Sequence, residues 1–256
     1  MRYISLLLLS LTLMTSHAET LTIATPRFMP PYVMAAGNQN HYIGFSIDII
    51  LTICKRMKVT CNIKSMPLTD TFDAIIKKEV DLAIGNYLIT PDREAHFKFS
   101  LPYLQSEAAF ITLVNNPMTS MSNLKTKSVG ALARTVLINY LEKKFGSDIK
   151  IVPYPNISEM MLALSEGKVD AIIIDRKTAN FWLGNNYDMF KMLGQPFPLG
   201  IGIGIMANKD NTPLITRVNQ ALLRMQADGY YLKIYSTYFF SDTKKVESKK
   251  VESKMD

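Results

Sequence analysis

Thiol, imidazole and indole side chains are scarce in this chain of 256 residues, which has two cysteines, three histidines and one tryptophan. Two cysteines cannot close a zinc site without help from histidine or carboxylate, so no structural metal is expected. The sequence has no G-x-S-x-G elbow, no G-x-x-x-x-G-K-[ST] loop, no H-E-x-x-H pair and no EF-hand spacing. Serine-hydrolase, P-loop nucleotide, zinc-protease and calcium chemistry therefore lack their motifs. Gly200, Gly202 and Gly204 in G-I-G-I-G are spaced by two and do not match the G-x-G-x-x-G of a dinucleotide site. They alternate with isoleucine as a strand does, and read as a close backbone crossing. No cofactor is expected. Basic residues outnumber acidic ones by seven, but the surplus is spread along the chain and partly gathered in its last fourteen residues, which argues against a nucleic-acid partner. Apolar residues make up 48% and charged ones 20%, ordinary proportions for a globular protein with a sizeable core. The length suits one large or two medium units.

The one long apolar run sits at the N-terminus. Met1 and Arg2 precede apolar residues from Tyr3 to Met14, followed by Ser16, His17 and Ala18, the charged, greasy, small-residue order of a secretory signal. The run falls short of the ~20 apolar residues that cross a bilayer, so residues 1–18 are expected to be removed by cleavage after Ala18. No cysteine follows the run to take a lipid anchor, and the mature protein is expected to be exported and soluble. Cys54 and Cys61 then lie in a compartment where disulfides persist. They either pair or stand as two buried thiols, and a pair would close an eight-residue loop, adding about 2.5 kcal/mol by the chain-entropy estimate.

Along the chain, L-T-I-A from Leu21 reads as a short strand, ended by the turn Pro26 to Pro31. Ile47, Ile50, Leu51, Ile53, Cys54 and Met57 form one face of a helix over Ser46 to Met57, with Lys55, Arg56 and Lys58 suited to its C-terminal end. Phe72 to Lys78 is helical in pattern, and V-D-L-A-I-G from Val80 to Gly85 is the continuous apolar run of a strand buried on both faces. The pattern returns about ninety residues on, where Met161 to Leu164 and Val169 to Ile173 repeat the helix and the buried strand. Two similar α/β units built on βαβ grammar are expected. Thr212 to Ala227 reads as an amphipathic helix, followed by Asp228-Gly229 and an aromatic segment, Tyr230 to Phe240. The repeated polar unit in K-K-V-E-S-K-K-V-E-S-K marks residues 242–256 as a disordered tail.

In this order the residues resemble the periplasmic amino-acid-binding proteins of ABC importers, solute-binding protein family 3. The likeness runs from about Leu21 to Phe240 through L-T-I-A before P-P-Y, G-F-S-I-D-I at Gly44 to Ile49, V-D-L-A-I-G, I-T-P-D-R at Ile89 to Arg93, F-S-L-P-Y at Phe99 to Tyr103, E-G-K-V-D-A and A-D-G-Y. The resemblance implies the two-lobed type II periplasmic binding fold, α/β in class, each lobe a doubly wound mixed sheet with flanking helices and the two joined by a two-strand hinge. It places the first lobe at 19–106 and 204–241 and the second at 107–203, with crossing strands near Gln105 to Ala109 and Leu199 to Ile203. The segment C-K-R-M-K-V-T-C is similar to a disulfide-bearing segment of the family's basic-amino-acid receptors, which implies that Cys54 and Cys61 pair.

The resemblance also implies a site. Arg93, after I-T-P, matches the arginine that takes a ligand's α-carboxylate, a task for which a planar guanidinium is suited. Asp175, ending V-D-A-I-I-I-D, matches the acceptor of the α-ammonium at the end of a parallel strand. Without the resemblance both would read as surface ion partners. Tyr32 and Asn86 are further candidates. The family's aromatic platform and next aromatic fall at Met29 and Leu68, a usual hydroxyl at Leu88, and its carboxylate-capping G-S-T loop at Arg134, Thr135 and Val136. Backbone N–H groups of that loop, at a helix start, could still hold an anion. An acidic reader of basic side chains falls at Pro26. Such a pocket favours an apolar or modestly polar side chain, unless Arg134 reaches in to select an acidic one.

The implied function is non-enzymatic: a periplasmic monomer that binds an amino acid or a related small zwitterion and presents it to an inner-membrane ABC permease. One alternative is an enzyme similar to the cyclohexadienyl dehydratases, with Asp175, Glu107 or Glu159 as the acid. The other is a sensory partner of a membrane receptor. Edman sequencing of exported protein should begin at Glu19, and a sequence beginning at Met1 refutes the cleavage.

Overall fold

The computed structural model describes residues 19–37 and 41–239, so the signal segment and the lysine-rich tail lie outside the described residues. Two five-stranded mixed sheets carry the fold. The first runs in the order Thr60–Ser65, Thr20–Thr25, Leu82–Ala83, Met206–Asn208, Phe97–Phe99. The second runs Lys150–Tyr154, Ser128–Leu132, Ala171–Asp175, Glu107–Leu113, Phe190–Pro198. In each, the first three strands are parallel and the fourth is antiparallel to both its neighbours.

The repeat visible in the sequence is the repeat of the fold. A strand leads into a helix, an edge strand, a second helix and a central strand, with helices Phe45–Met57 and Leu68–Ile76 in one unit and Val136–Phe145 and Ile157–Ser165 in the other. The aspartate of each V-D pair has one job in both copies. Asp81 Oδ2 accepts the N–H of Thr22 at 2.7 Å, and Asp170 Oδ2 accepts the N–H of Ser128 at 2.8 Å and its hydroxyl at 2.7 Å. A carboxylate thus ties the start of each central strand to the parallel strand beside it.

Two elements differ from expectation. The helix expected from Phe72 begins at Leu68, directly after Pro67, whose carbonyl accepts the N–H groups of Asp70 and Thr71 and so closes the first turn. The run Val80 to Gly85 yields a strand of only two residues, Leu82–Ala83. Pairing nevertheless extends on both sides of it, through Asp81 N–H to Thr22 O and Ile84 N–H to Ala24 O, each at 2.9 Å.

Helix Phe45–Met57 starts against the Pro30–Tyr32 turn. Phe45 and Ser46 donate their N–H groups to Pro31 O and Tyr32 O, each at 3.0 Å. Gly44 precedes them with φ 131°, and a Cβ there would lie 2.3 Å from Tyr32 O, so no side chain fits. At the other end Cys54 is bonded to Cys61, with Cα atoms 6.1 Å apart, which ties the helix to the edge strand Thr60–Ser65. Between the sheets the chain crosses itself antiparallel: Leu104 bridges Ile203, with Ile203 N–H on Leu104 O at 2.8 Å. A Cβ on Gly202 would sit 2.7 Å from the Pro102 side chain and 3.0 Å from Leu104 O. The G-I-G-I-G segment is therefore a tight crossing. Helix Thr212–Ala227 follows, capped by the Asn211 side chain, and then helix Tyr230–Phe239, whose Tyr231, Tyr235, Tyr238 and Phe239 rings surround buried Phe45.

Burial pushes the Asp170 carboxyl up, but hydrogen bonds from Ser128 and the charge of Lys127 outweigh it and leave the pKa below the ordinary value. A carboxylate lowered in this way stabilises the fold above its unfolded pKa and loses that contribution as pH falls through its folded value. Asp170→Ala should lower stability by about 1 kcal/mol, a Tm drop of roughly 2 to 4 °C. The drop should shrink in acid, as followed by circular dichroism.

Candidate functional site

Side chains from both sheets meet in a small chamber between them. Met29, Leu68, Asn86, Leu88 and Arg93 line it from the first unit, and Leu132, Thr135, Val136, Leu137, Ile157, Ile174, Asp175 and Thr178 from the second. Its free volume is about 40 Å³, room for about three waters, so an amino acid could enter only if the two walls parted.

Asp175 is the C-terminal residue of a central strand and the N-cap of helix Arg176–Asn185. Its Oδ1 accepts the N–H groups of Lys177 at 3.0 Å and Thr178 at 3.1 Å, and the Thr178 hydroxyl at 3.5 Å. It also accepts the hydroxyl of Tyr32 at 2.7 Å, from the other unit. No bond among the described residues reaches Oδ2. Burial pushes the Asp175 carboxyl above its ordinary pKa, opposed by the Tyr32 hydroxyl, the Thr178 N–H and the charge of Lys177. Tyr32 is wholly buried, and burial together with the Asp175 charge raises its phenol well above the usual value.

Arg93 stands near the start of the short helix Pro91–His96, which Thr90 caps. Its guanidinium donates Nη1–H to Leu88 O at 2.9 Å and lies 5.0 Å from the centroid of the Phe72 ring. No carboxylate among the described residues pairs with it. Burial disfavours its charge and lowers its pKa, a cost that an anion in the chamber would offset. Asn86 adds a buried Oδ1 with no hydrogen-bond partner among the described residues.

Eight of the ten residues proposed from sequence line the chamber: Met29, Leu68, Asn86, Leu88, Arg93, Thr135, Val136 and Asp175. Tyr32 does not line it and acts on it through Asp175. Arg134 is exposed, holds left-handed backbone at φ 57°, and does not line it. Leu132, Leu137, Ile157, Ile174 and Thr178 were not singled out in the sequence. Leu132 and Ile174 lie at C-terminal strand ends and Ile157 begins a helix after one, positions that deliver side chains to a cleft in such sheets. The cleft, the twin mixed sheets and the antiparallel crossing agree with a match to the bacterial extracellular solute-binding proteins, family 3, across residues 21–241.

The chain belongs to that family. Among its relatives, the putative ABC transporter arginine-binding protein 2 of Escherichia coli is 28% identical over 240 residues, covering 92% of this chain and 97% of that protein. The solved arginine 3rd transport system periplasmic binding protein of Legionella pneumophila superposes with a TM-score of 0.82 at 35% identity, over 87% of this chain and 100% of that one. An ancestral arginine-binding protein bound to glutamine superposes at 0.80 with 29% identity, over 87% and 99%. As a member of solute-binding family 3 the protein has the type II periplasmic binding fold.

Tyr32→Phe removes the charge-assisted bond that joins the two units at Asp175. It should lower stability by about 1.5 to 3 kcal/mol and raise the Asp175 pKa further, read by carboxyl carbon NMR. Combined with Asp175→Asn in a double-mutant cycle, the two losses should be strongly non-additive.

Proposed function

We propose that the protein is a periplasmic receptor that holds an amino acid or a closely related zwitterion between two lobes and delivers it to an ABC permease, acting as a monomer and without catalysis. The lobes are residues 19–106 with 204–241, and 107–203, and the crossing at Leu104 and Ile203 is the hinge about which they close. The carrying observation is the pairing of opposite, incompletely satisfied charges in one chamber. Among the described residues Arg93 is a cation with no carboxylate partner, and Asp175 is an anion whose Oδ2 accepts no bond. An α-carboxylate on Arg93 and an α-ammonium on Asp175 satisfy both.

The relatives' names support import. E. coli and Legionella counterparts are named for arginine and for ABC or periplasmic transport, and no helix among the described residues is long and apolar enough to cross a membrane. The other carboxylates weighed for catalysis are engaged elsewhere. Glu107 pairs with Arg176 at 2.8 Å, and Glu159 accepts a bond from Asn156 at 2.7 Å; neither lines the chamber. Met29, Leu68 and Leu88 all face into it. With no acidic group there except Asp175, the walls suit an apolar stem at the start of the ligand's side chain.

Isothermal titration against the common amino acids should find a binder, with affinity reduced about 30-fold or more in Arg93→Ala and in Asp175→Asn while the fold is kept. Because the Asp175 pKa is raised in the free protein and an ammonium favours the carboxylate, binding should release a proton in mildly acidic buffer. Affinity should fall as pH drops through that raised value. Binding undiminished in both variants refutes the site.

A further inference from the structure

The chamber that holds Arg93 and Asp175 adjoins a larger cavity. Met29, Leu68, Leu132 and Ile157 line it and also line a second cavity, of about 1190 Å³, which opens to solvent. These four side chains, two from each unit, form the apolar boundary between an inner charged chamber and an outer one, and become a neck when the two walls part. Arg27 and Lys64 stand on the first unit's wall of the outer cavity, and Asn156 and Glu159 on the second's.

The charges on the two walls are not equivalent. Glu159 is occupied locally: its carboxylate accepts the Asn156 side-chain amide at 2.7 Å, and its N–H donates to Asn156 Oδ1 at 2.9 Å. The Arg27 and Lys64 side chains make no hydrogen bond or ion pair with any described residue, and both residues are exposed. The Asn156 amide is neutral, so Glu159 keeps its charge; the outer cavity carries two cations on the first unit's wall and one carboxylate on the second's, a net charge of +1. A ligand whose side chain runs out between these residues along the first unit's wall meets methyl and methylene groups first, then two cations, with the Glu159 carboxylate on the opposite wall.

Building on the receptor reading above, we propose that the ligand is an α-amino acid with a long apolar stem that ends in an anionic group. The head lies between Arg93 and Asp175, the stem in the neck, and the far end beside Arg27 and Lys64. The inner chamber fixes the zwitterion, and the outer one selects among ligands by the sign of their terminal charge. Because the two cations are exposed, their effect is moderate and weakens with salt.

Three probes share one head and one stem and differ only at the far end: Nε-succinyl-L-lysine, Nε-acetyl-L-lysine and L-lysine. Each is titrated calorimetrically into the mature protein after unfolding and refolding have removed carried-over ligand. The succinyl compound should bind about tenfold more tightly than the acetyl compound at low ionic strength, a gap that narrows in high salt. In the R27A/K64A double variant the ratio of the two affinities should fall below about twofold. Equal affinities for the succinyl and acetyl compounds, tightest binding by L-lysine, or tighter binding of short amino acids such as L-alanine overturns the proposal and leaves the receptor reading standing. If none of the probes and none of the common amino acids binds, the receptor reading itself falls, and this proposal with it.

Discussion

A carboxylate buried between two sheets is costly unless donors surround it, and Asp175 meets that requirement with groups from both. Its own helix supplies the N–H groups of Lys177 and Thr178 and the Thr178 hydroxyl. The fourth donor has to come across the cleft, and it comes from Tyr32. That demand fixes much of the first unit. Tyr32 sits in the turn whose carbonyls receive the N–H groups of Phe45 and Ser46, which in turn requires a residue without Cβ at Gly44. Satisfying one acid therefore sets the position of a helix start more than a hundred residues away in sequence. All four donors converge on Oδ1, which leaves Oδ2 for a cation.

Arg93 presents the opposite case. Its guanidinium has one carbonyl and the face of Phe72, enough to position it but not to neutralise it. Desolvation without a counter-ion is an unfavourable arrangement for folding alone, and such arrangements are concentrated where a ligand completes them. The departures from the family's usual residues are concentrated in the walls between the two charged groups. Met29, Leu68 and Leu88 remove aromatic faces and a hydroxyl but leave both charges in place. On the proposed reading, the two charges would still hold an amino-acid head while the environment of its side chain is changed.

The doubling of the fold was legible because its signal is local and occurs twice. The V-D pairs at Val80 and Val169 each follow an amphipathic helix and open a buried strand, and the structure gives both aspartates the same bond. Helix Thr212–Ala227 was legible for the same reason: its apolar periodicity is local. Contacts made across the cleft had no such signal. Tyr32 and Asp175 are 143 residues apart, and neither spacing nor composition joins them. Arg93 and Asp175 were found through the resemblance to a family, since each alone reads as a surface ion. The neck residues Leu132 and Ile157 look like ordinary core positions until the sheets are set face to face.

Helix Tyr230–Phe239 does more than finish the chain's last described element. Its rings enclose Phe45 at the start of the first unit's long helix, Tyr238 donates its hydroxyl to Asp48 at 2.7 Å, and Tyr235 and Phe239 lie under the Lys177 ammonium of the second unit, with ring centroids at 5.4 and 4.8 Å. The segment therefore works as a strap that grips one unit and touches the edge of the other. For anyone building reporters from this receptor, the strap marks a boundary. A fluorescent or affinity fusion joined upstream of Tyr230 would strip the cover from Phe45, whereas one joined after Phe239 would sit on an element that contacts both units.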